Sequence, residues 1–396
     1  MHHHLSSRRE FIRRNLALAA GAPLVCAGGW EQLYAGSSRP DPNLASPRSR
    51  TDAKVAIARC RSYGPEARAA MAQCFDLLGG IDALVRNKTV TVKINLTGTD
   101  FSPFRGRPVG ETYMTHPATA LALGSLLFAS GARRVRFVES TQSKAKLEQT
   151  LALADWDVNA LLALGKVEFE NTRNLGAGAN YAHLRVPFGG YMFSALDLNR
   201  AYEDTDVMIS LAKLKNHVTA GVTLTMKNLF GITPNALYGS QAGDEAATGG
   251  RDPLHSPRGF EKINLPGLKE GIANPDPTWR VPRVTVDACA ARPVHLALID
   301  GITAMSAAEG PWCADEARTK LTSPGVLIAG LNPVSTDAIG TAVMGYANPR
   351  ASRGTKPFDT CDNHLRLAEQ AGLGSADLGR IDARGLTLEQ ARCPYE

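Results

Sequence analysis

Short apolar runs alternate with stretches of helical periodicity from residue 54 onward, and this alternation predicts the fold class. KVAIAR (54–59), TVTVKIN (89–95), RRVRFVES (133–140), DVMISLAKLK (206–215), VHLALIDG (294–301) and GVLIAG (325–330) read as strands. PEARAAMAQCFDLLGGIDALV (65–85) and HPATALALGSLLFASG (116–131) read as helices, the second with Pro117 in its first turn and Gly131 closing it. A further helix follows the last strand, from Pro333 to about Gly345. Apolar strands separated by helices predict an α/β fold: a mainly parallel sheet with flanking helices, in one large domain or two closely packed lobes.

The pattern breaks in two places. Residues 235–283 are crowded with Gly, Pro and Asp, and only EKINLPGLKEGIAN within them looks partly helical. A break of that length predicts an irregular insertion or cover between a first core part, 53–234, and a second, 284–396. The other break is the beginning of the chain. Ser7-Arg8-Arg9-Glu10-Phe11-Ile12-Arg13 resembles a twin-arginine export signal and precedes the weakly apolar run NLALAAGAPLVCAGGW. Residues 1–35 are therefore expected to be a signal peptide and 36–52 a flexible leader. The expected partner is the twin-arginine translocation machinery and the expected location is periplasmic. No later run approaches the roughly 18 apolar residues of a membrane span, so no membrane association is expected after cleavage.

Composition narrows the function. With 44% hydrophobic and 21% charged residues among 396, the chain can bury a large core. Its formal charge is +6, and Arg8, Arg9, Arg13 and Arg14 against Glu10 and Glu31 contribute +2 of it. The remainder is too small an excess to point to nucleic acid. Cys60, Cys74, Cys289, Cys313, Cys361 and Cys393 form no CxxC or other close cluster, which weighs against an iron–sulfur cluster or a structural zinc site. No motif names another cofactor or metal.

LAKLKNHVTAGVTLTMKNLFGITP (211–234) places lysines, a histidine and asparagines in apolar company. In an extended strand Lys213, Lys215 and His217 share one face. Val222, Met226, Leu229 and Phe230 then fall at helical spacing and carry Lys227 and Asn228 on a helix that Gly231 and Pro234 stop. A helix start exposes unpaired N–H groups, so lysines leading into it would seat a phosphate or carboxylate, with His217 able to titrate near neutral pH. The Val and Thr content of 218–225 would equally suit another strand, which would dissolve that seat.

Other polar residues stand at comparable junctions. Lys93 and Asn95 end a strand, Asp300 ends LALID, Asn332 follows GVLIAG, and Asp337 lies in the second turn of the next helix. Ligands of open α/β sheets bind at the carboxyl ends of strands, so these junctions could converge on one crevice. His116 begins a helix, and Glu309 sits in the turn AAEGP.

The segments KINLTG, THP, LAKLKNHVTAGVTLTMKNLFGITP, LIDGITAM, EGP and GVLIAGLNPVSTDAIGTAVMG, in that order, resemble the family known as domain of unknown function 362. The resemblance runs from about residue 54 to residue 346 and implies no particular reaction. Some members carry ferredoxin-like modules, which this chain lacks. Two function classes follow. One is an exported enzyme that binds an anionic small molecule or cofactor through Lys213, Lys215 and Lys227, with His217 as general acid or base and Asp300, Glu309 or Asp337 beside it or as metal ligands. The other is a non-catalytic periplasmic binding or accessory protein that uses the same lysines.

Overall fold

Eight strands pair into a single sheet in the computed structural model, which describes residues 53–96, 101–256 and 265–396. The twin-arginine stretch and the leader lie outside the described residues. The strands are β1 (Ala53–Arg59), β2 (Thr89–Lys93), β3 (Arg134–Glu139), β4 (Val167–Asn171), β5 (Val207–Lys213), β6 (Leu296–Gly301), β7 (Val326–Gly330) and β8 (Ile381–Gly385). Their order across the sheet is β8-β1-β7-β6-β5-β2-β3-β4. All neighbours are parallel except where β7 lies antiparallel between β1 and β6.

The inner strands β2 and β5 are buried along their whole length, as strands covered on both faces must be. Helices α1 (Pro65–Leu78) and α2 (Pro117–Ala129) cover one face through residues such as Met71, Phe75, Leu123 and Leu127. Helices α3 (Leu224–Leu229), α4 (Pro277–Ala291) and α5 (Pro333–Val343) cover the other through Met226, Leu229, Val281, Val284 and Ile339. The first predicted helix stops at Leu78, because Gly79 and Gly80 take left-handed backbone at φ 98 and 87, and a separate turn of helix covers Asp82–Val85.

Three expectations change. The irregular stretch ends inside α4, which starts at Pro277 with the Asp276 side chain accepting from the Thr278 N–H. Of EKINLPGLKEGIAN, residues 265–274 form turns rather than helix, and the rest lies outside the described residues. The shared strand face of Lys213, Lys215 and His217 does not form. The strand ends at Lys213, and Asn216–His217 pairs antiparallel with Gly221–Val222 in a small separate hairpin. Gly221 sits at φ 74, where an added Cβ would meet the Pro357 carbonyl oxygen at 2.6 Å.

The connectivity locates the crevice. From β2 the chain moves through β3 to β4 on one side, then returns to β5 and β6 on the other. Strand order therefore reverses between β2 and β5, and the carboxyl edge at such a reversal opens a cleft.

Candidate functional site

The cleft holds a cavity of about 440 Å³, a volume suited to a small molecule. Lys93 and Asn95 reach it from the end of β2, Glu139 from the end of β3, His217 from the hairpin after β5, and Lys227 and Asn228 from α3. Glu309 and Trp312 enter from the loop after β6, and Arg251 and His255 from the 235–283 stretch.

One wall is a hydrogen-bonded network. Lys93 Nζ lies 2.6 Å from Glu139 Oε1, both side chains being almost fully buried, and donates to the Ile94 carbonyl at 2.8 Å. Glu139 also accepts from the backbone N–H groups of Leu96 and Ser140 at 2.7 and 2.9 Å. Asn228 ties the network together: its Nδ2 donates to the Lys93 carbonyl and to Ser210 Oγ, and its Oδ1 accepts from Asn95 Nδ2 at 3.3 Å.

The opposite wall is less balanced. Lys227 is buried with its Nζ 4.3 Å from the centre of the Phe230 ring, and among the described residues it makes no ion pair. Burial pushes its pKa down to about 8, Glu309 opposes the shift, and the charges of Arg251 and Lys93 add to it. Arg251 is held by the carbonyls of Thr233 and Gly231, at 2.7 and 3.1 Å, rather than by a carboxylate. Two like charges thus share the cavity, each anchored by neutral groups.

His217 and Glu309 form a buried pair, with Nε2 2.6 Å from Oε2. The contact is close but poorly directed, since Glu309 Oε2 lacks a hydrogen-bond partner of good geometry among the described residues. His217 Nδ1 accepts from the Thr219 N–H at 3.2 Å, which places the proton of the neutral ring on Nε2. Burial pushes His217 down to about 3, so the ring is neutral at physiological pH. Burial works to raise the Glu309 carboxyl, but His217, His255 and Lys227 outweigh it and hold it well below the usual carboxylate range. His255 lies 5.4 Å from the His217 ring, centre to centre, with the Phe230 ring against its other side.

The remaining predicted residues go elsewhere. Lys213 Nζ donates to Tyr63 Oη at 2.8 Å and to the Gly110 carbonyl at 2.6 Å, and pairs with Asp300 Oδ2 at 3.2 Å. His116 stacks on Tyr63 with ring centres 3.4 Å apart, and its Nδ1 accepts from the Ala118 N–H. These groups make a second cluster, in which Lys213 and Asp300 are fully buried, outside the cavity lining. Lys215 Nζ donates to the Glu309 carbonyl at 2.6 Å and so braces the loop rather than facing the cavity.

Asn332 and Asp337 do not join the crevice. Because β7 is antiparallel, its carboxyl end lies at the opposite edge of the sheet, where Asn332 caps α5 by accepting from the Ser335 N–H. Asp337 accepts from the N–H groups of Thr225 and Met226 at 2.9 and 2.8 Å. The expected anion seat at the start of α3 is therefore occupied by a carboxylate of the chain itself.

Glu139, Arg251, His255 and Trp312 were not among the predicted site residues. Glu139 had a legible signal as a carboxylate at a strand's carboxyl end. Arg251 is the N-cap of the short helix Asp252–His255 and His255 is its last residue, and their RDPLHS context reads as loop.

Residues 90–342 match the sequence model described as domain of unknown function (DUF362). No curated protein matches the chain. A crystal structure of a structural-genomics target protein from Thermotoga maritima is similar at a TM-score of 0.32 and 14% sequence identity. That alignment covers 62% of this chain and 52% of the other, about half its length.

Proposed function

Because the chain belongs to the DUF362 family, whose description names no reaction, we propose from the cavity itself that the protein binds an anionic small molecule there. In this reading the protein is an exported enzyme that uses the Glu309–His217 pair for proton transfer. The observation that carries the reading is a pair of cations, Lys227 and Arg251, that make no ion pair among the described residues and feel Glu309 and Glu139 only at longer range. Lys227 and Arg251 line one small cavity and repel one another. An anion between them relieves that repulsion and gains two charge-assisted contacts in a site largely removed from water.

The chemistry next to the cations favours an enzyme over a simple binder. Recognition of an anion needs donors only, yet the wall also holds a carboxylate whose proton affinity is coupled to a buried imidazole. Both His217 nitrogens are engaged, so His217 orients Glu309 and shares its proton while Glu309 is the group that meets the ligand. Lys93, Asn95 and Asn228 hold the facing wall rigid.

The test is a thermal-shift titration with inorganic phosphate and with malonate, on the wild type and on Lys227→Met. One or both probes are expected to raise the melting temperature of the wild type and to have at least about tenfold weaker effect on the variant. Equal stabilisation of both proteins would overturn the reading. A Glu309→Gln variant that retains the probe's affinity but loses the turnover shown by the wild type would mark Glu309 as catalytic; retained turnover would remove Glu309 from the catalytic step, and a wild type that turns over nothing would leave a binding protein.

A further inference from the structure

We propose that His217, His255 and Glu309 form a binding site for a single divalent transition-metal ion, of the zinc class, in the wall of the cavity. The three side chains come from separate parts of the chain, namely the hairpin after β5, the helix Asp252–His255 and the loop after β6. Even so, one ligand atom of each lies within 4.8 Å of the other two. Two imidazoles and one carboxylate are a donor set that zinc accepts with a fourth position left open, and all three residues line the cavity.

A second observation is independent of that convergence. Glu309 is 7% exposed, and its Oε2 has no well-directed hydrogen bond among the described residues although it lies 2.6 Å from His217 Nε2. A buried carboxylate oxygen is rarely left so, because its desolvation is then uncompensated. A cation bound by both atoms would remove the deficit, with the pair opening from 2.6 Å to the roughly 3.4 Å that tetrahedral zinc sets between two ligand atoms. In the metal-bound form the two side chains are ligands, and the proton-transfer role of the pair belongs to the metal-free form. Coordination at Nε2 moves the ring proton to Nδ1 without net proton release, and Thr219 Oγ1, 3.2 Å from Nδ1, becomes its acceptor. Lys215, bound to the Glu309 carbonyl, fixes the loop that presents the carboxylate.

The metal site rests on the cavity being a ligand site, and it gives the anion a second point of attachment: one oxygen at the open metal position and another near Lys227. The two readings fail separately. Metal-free wild type, His255→Ala, His255→Gln and Lys227→Met are each dialysed against Zn²⁺ alone, and bound metal is counted by elemental analysis. A single Zn²⁺ per chain is expected in the wild type and in Lys227→Met, with affinity weaker by roughly tenfold or more in both His255 variants. A wild type that binds no Zn²⁺, or His255 variants that bind it unchanged, would overturn the metal site, while the phosphate and malonate titration would still decide the anion reading. Co²⁺ supplies a check that needs no variant. Wild-type protein should show intensified d–d absorption without a thiolate charge-transfer band, and an aquo-ion spectrum or a thiolate band would overturn the assignment.

Discussion

Lys227 shows how a site residue can work against the stability of its own fold. Its pKa falls from 10.5 to about 8 chiefly through burial, so the folded protein holds that proton less tightly than the unfolded chain does. The charged form is therefore the costly one. The penalty is present in full below about pH 8 and fades as pH rises towards 10.5, and a shift of that size corresponds to on the order of 3 kcal/mol. Lys227→Met keeps the packing on Phe230 and removes the charge. It should raise the melting temperature of the ligand-free protein at pH 7, and the gain should shrink above pH 9. In the wild type, affinity for the phosphate probe should decline as pH rises through about 8, where Lys227 loses its proton. A flat profile across that range, by calorimetric titration, would show that the lysine does not carry the anion. Of the site at this scale, Lys93, Asn95, His217, Lys227, Asn228 and Glu309 were legible as polar residues at the ends of apolar elements. Lys213 and Asp300 carry the same signal but pair with each other, because opposite charges at the ends of adjacent parallel strands satisfy one another first.

At the scale of elements, α3 decides where Lys227 and Asn228 point. Leu224 enters it at φ 42, a left-handed conformation that costs a bulky residue on the order of 1–3 kcal/mol, and Asp337 on α5 grips its first turn. Asp337→Ala leaves the Thr225 and Met226 N–H groups buried without acceptors. It is expected to cost roughly 2–4 kcal/mol in a urea unfolding curve, and to weaken phosphate binding because α3 loses its anchor. Asn332→Ala, also a lost cap but at the far edge of the sheet, should cost about 1 kcal/mol and leave phosphate binding untouched. Equal effects of the two substitutions on binding would show that α3 is not held through Asp337. The strands missed by sequence reading share a cause. β4 (VEFEN) and β8 (IDARG) are the two edges of the sheet and are only partly buried, so they lack the continuous apolar signal of inner strands. In α4, Pro277 occupies the first turn, where it costs no hydrogen bond, while Pro282 forgoes one. Two prolines in DPTWRVPR thus resemble a loop although the segment packs as a helix.

For the molecule as a whole, the α/β class followed from apolar strands alternating with helices, but the direction of β7 did not. Parallel neighbours need a crossover, usually a helix, whereas residues 302–325 supply only the bridge Ala304–Met305 with Leu321–Thr322 and the short turn Pro311–Cys313. That missing helix was the available sign that Asn332 would end at the opposite edge. The proposed export would also act on the whole chain. Its site draws on residues from 93 to 312, so the cavity exists only after more than half of the sequence has folded. The six cysteines among the described residues are all free, and burial pushes Cys60, Cys74 and Cys361 up to about 12, which keeps those thiols protonated and slow to oxidise. These six thiols are unpaired, so a route that carries proteins already folded in a reducing compartment is compatible with them. We therefore expect Arg8→Lys with Arg9→Lys to leave full-length precursor in the cytoplasm, folded and stabilised by phosphate to the same degree as the exported form. Cell fractionation with immunodetection reads the result, and normal appearance of the shortened form outside the cytoplasm would refute the twin-arginine reading without touching the cavity.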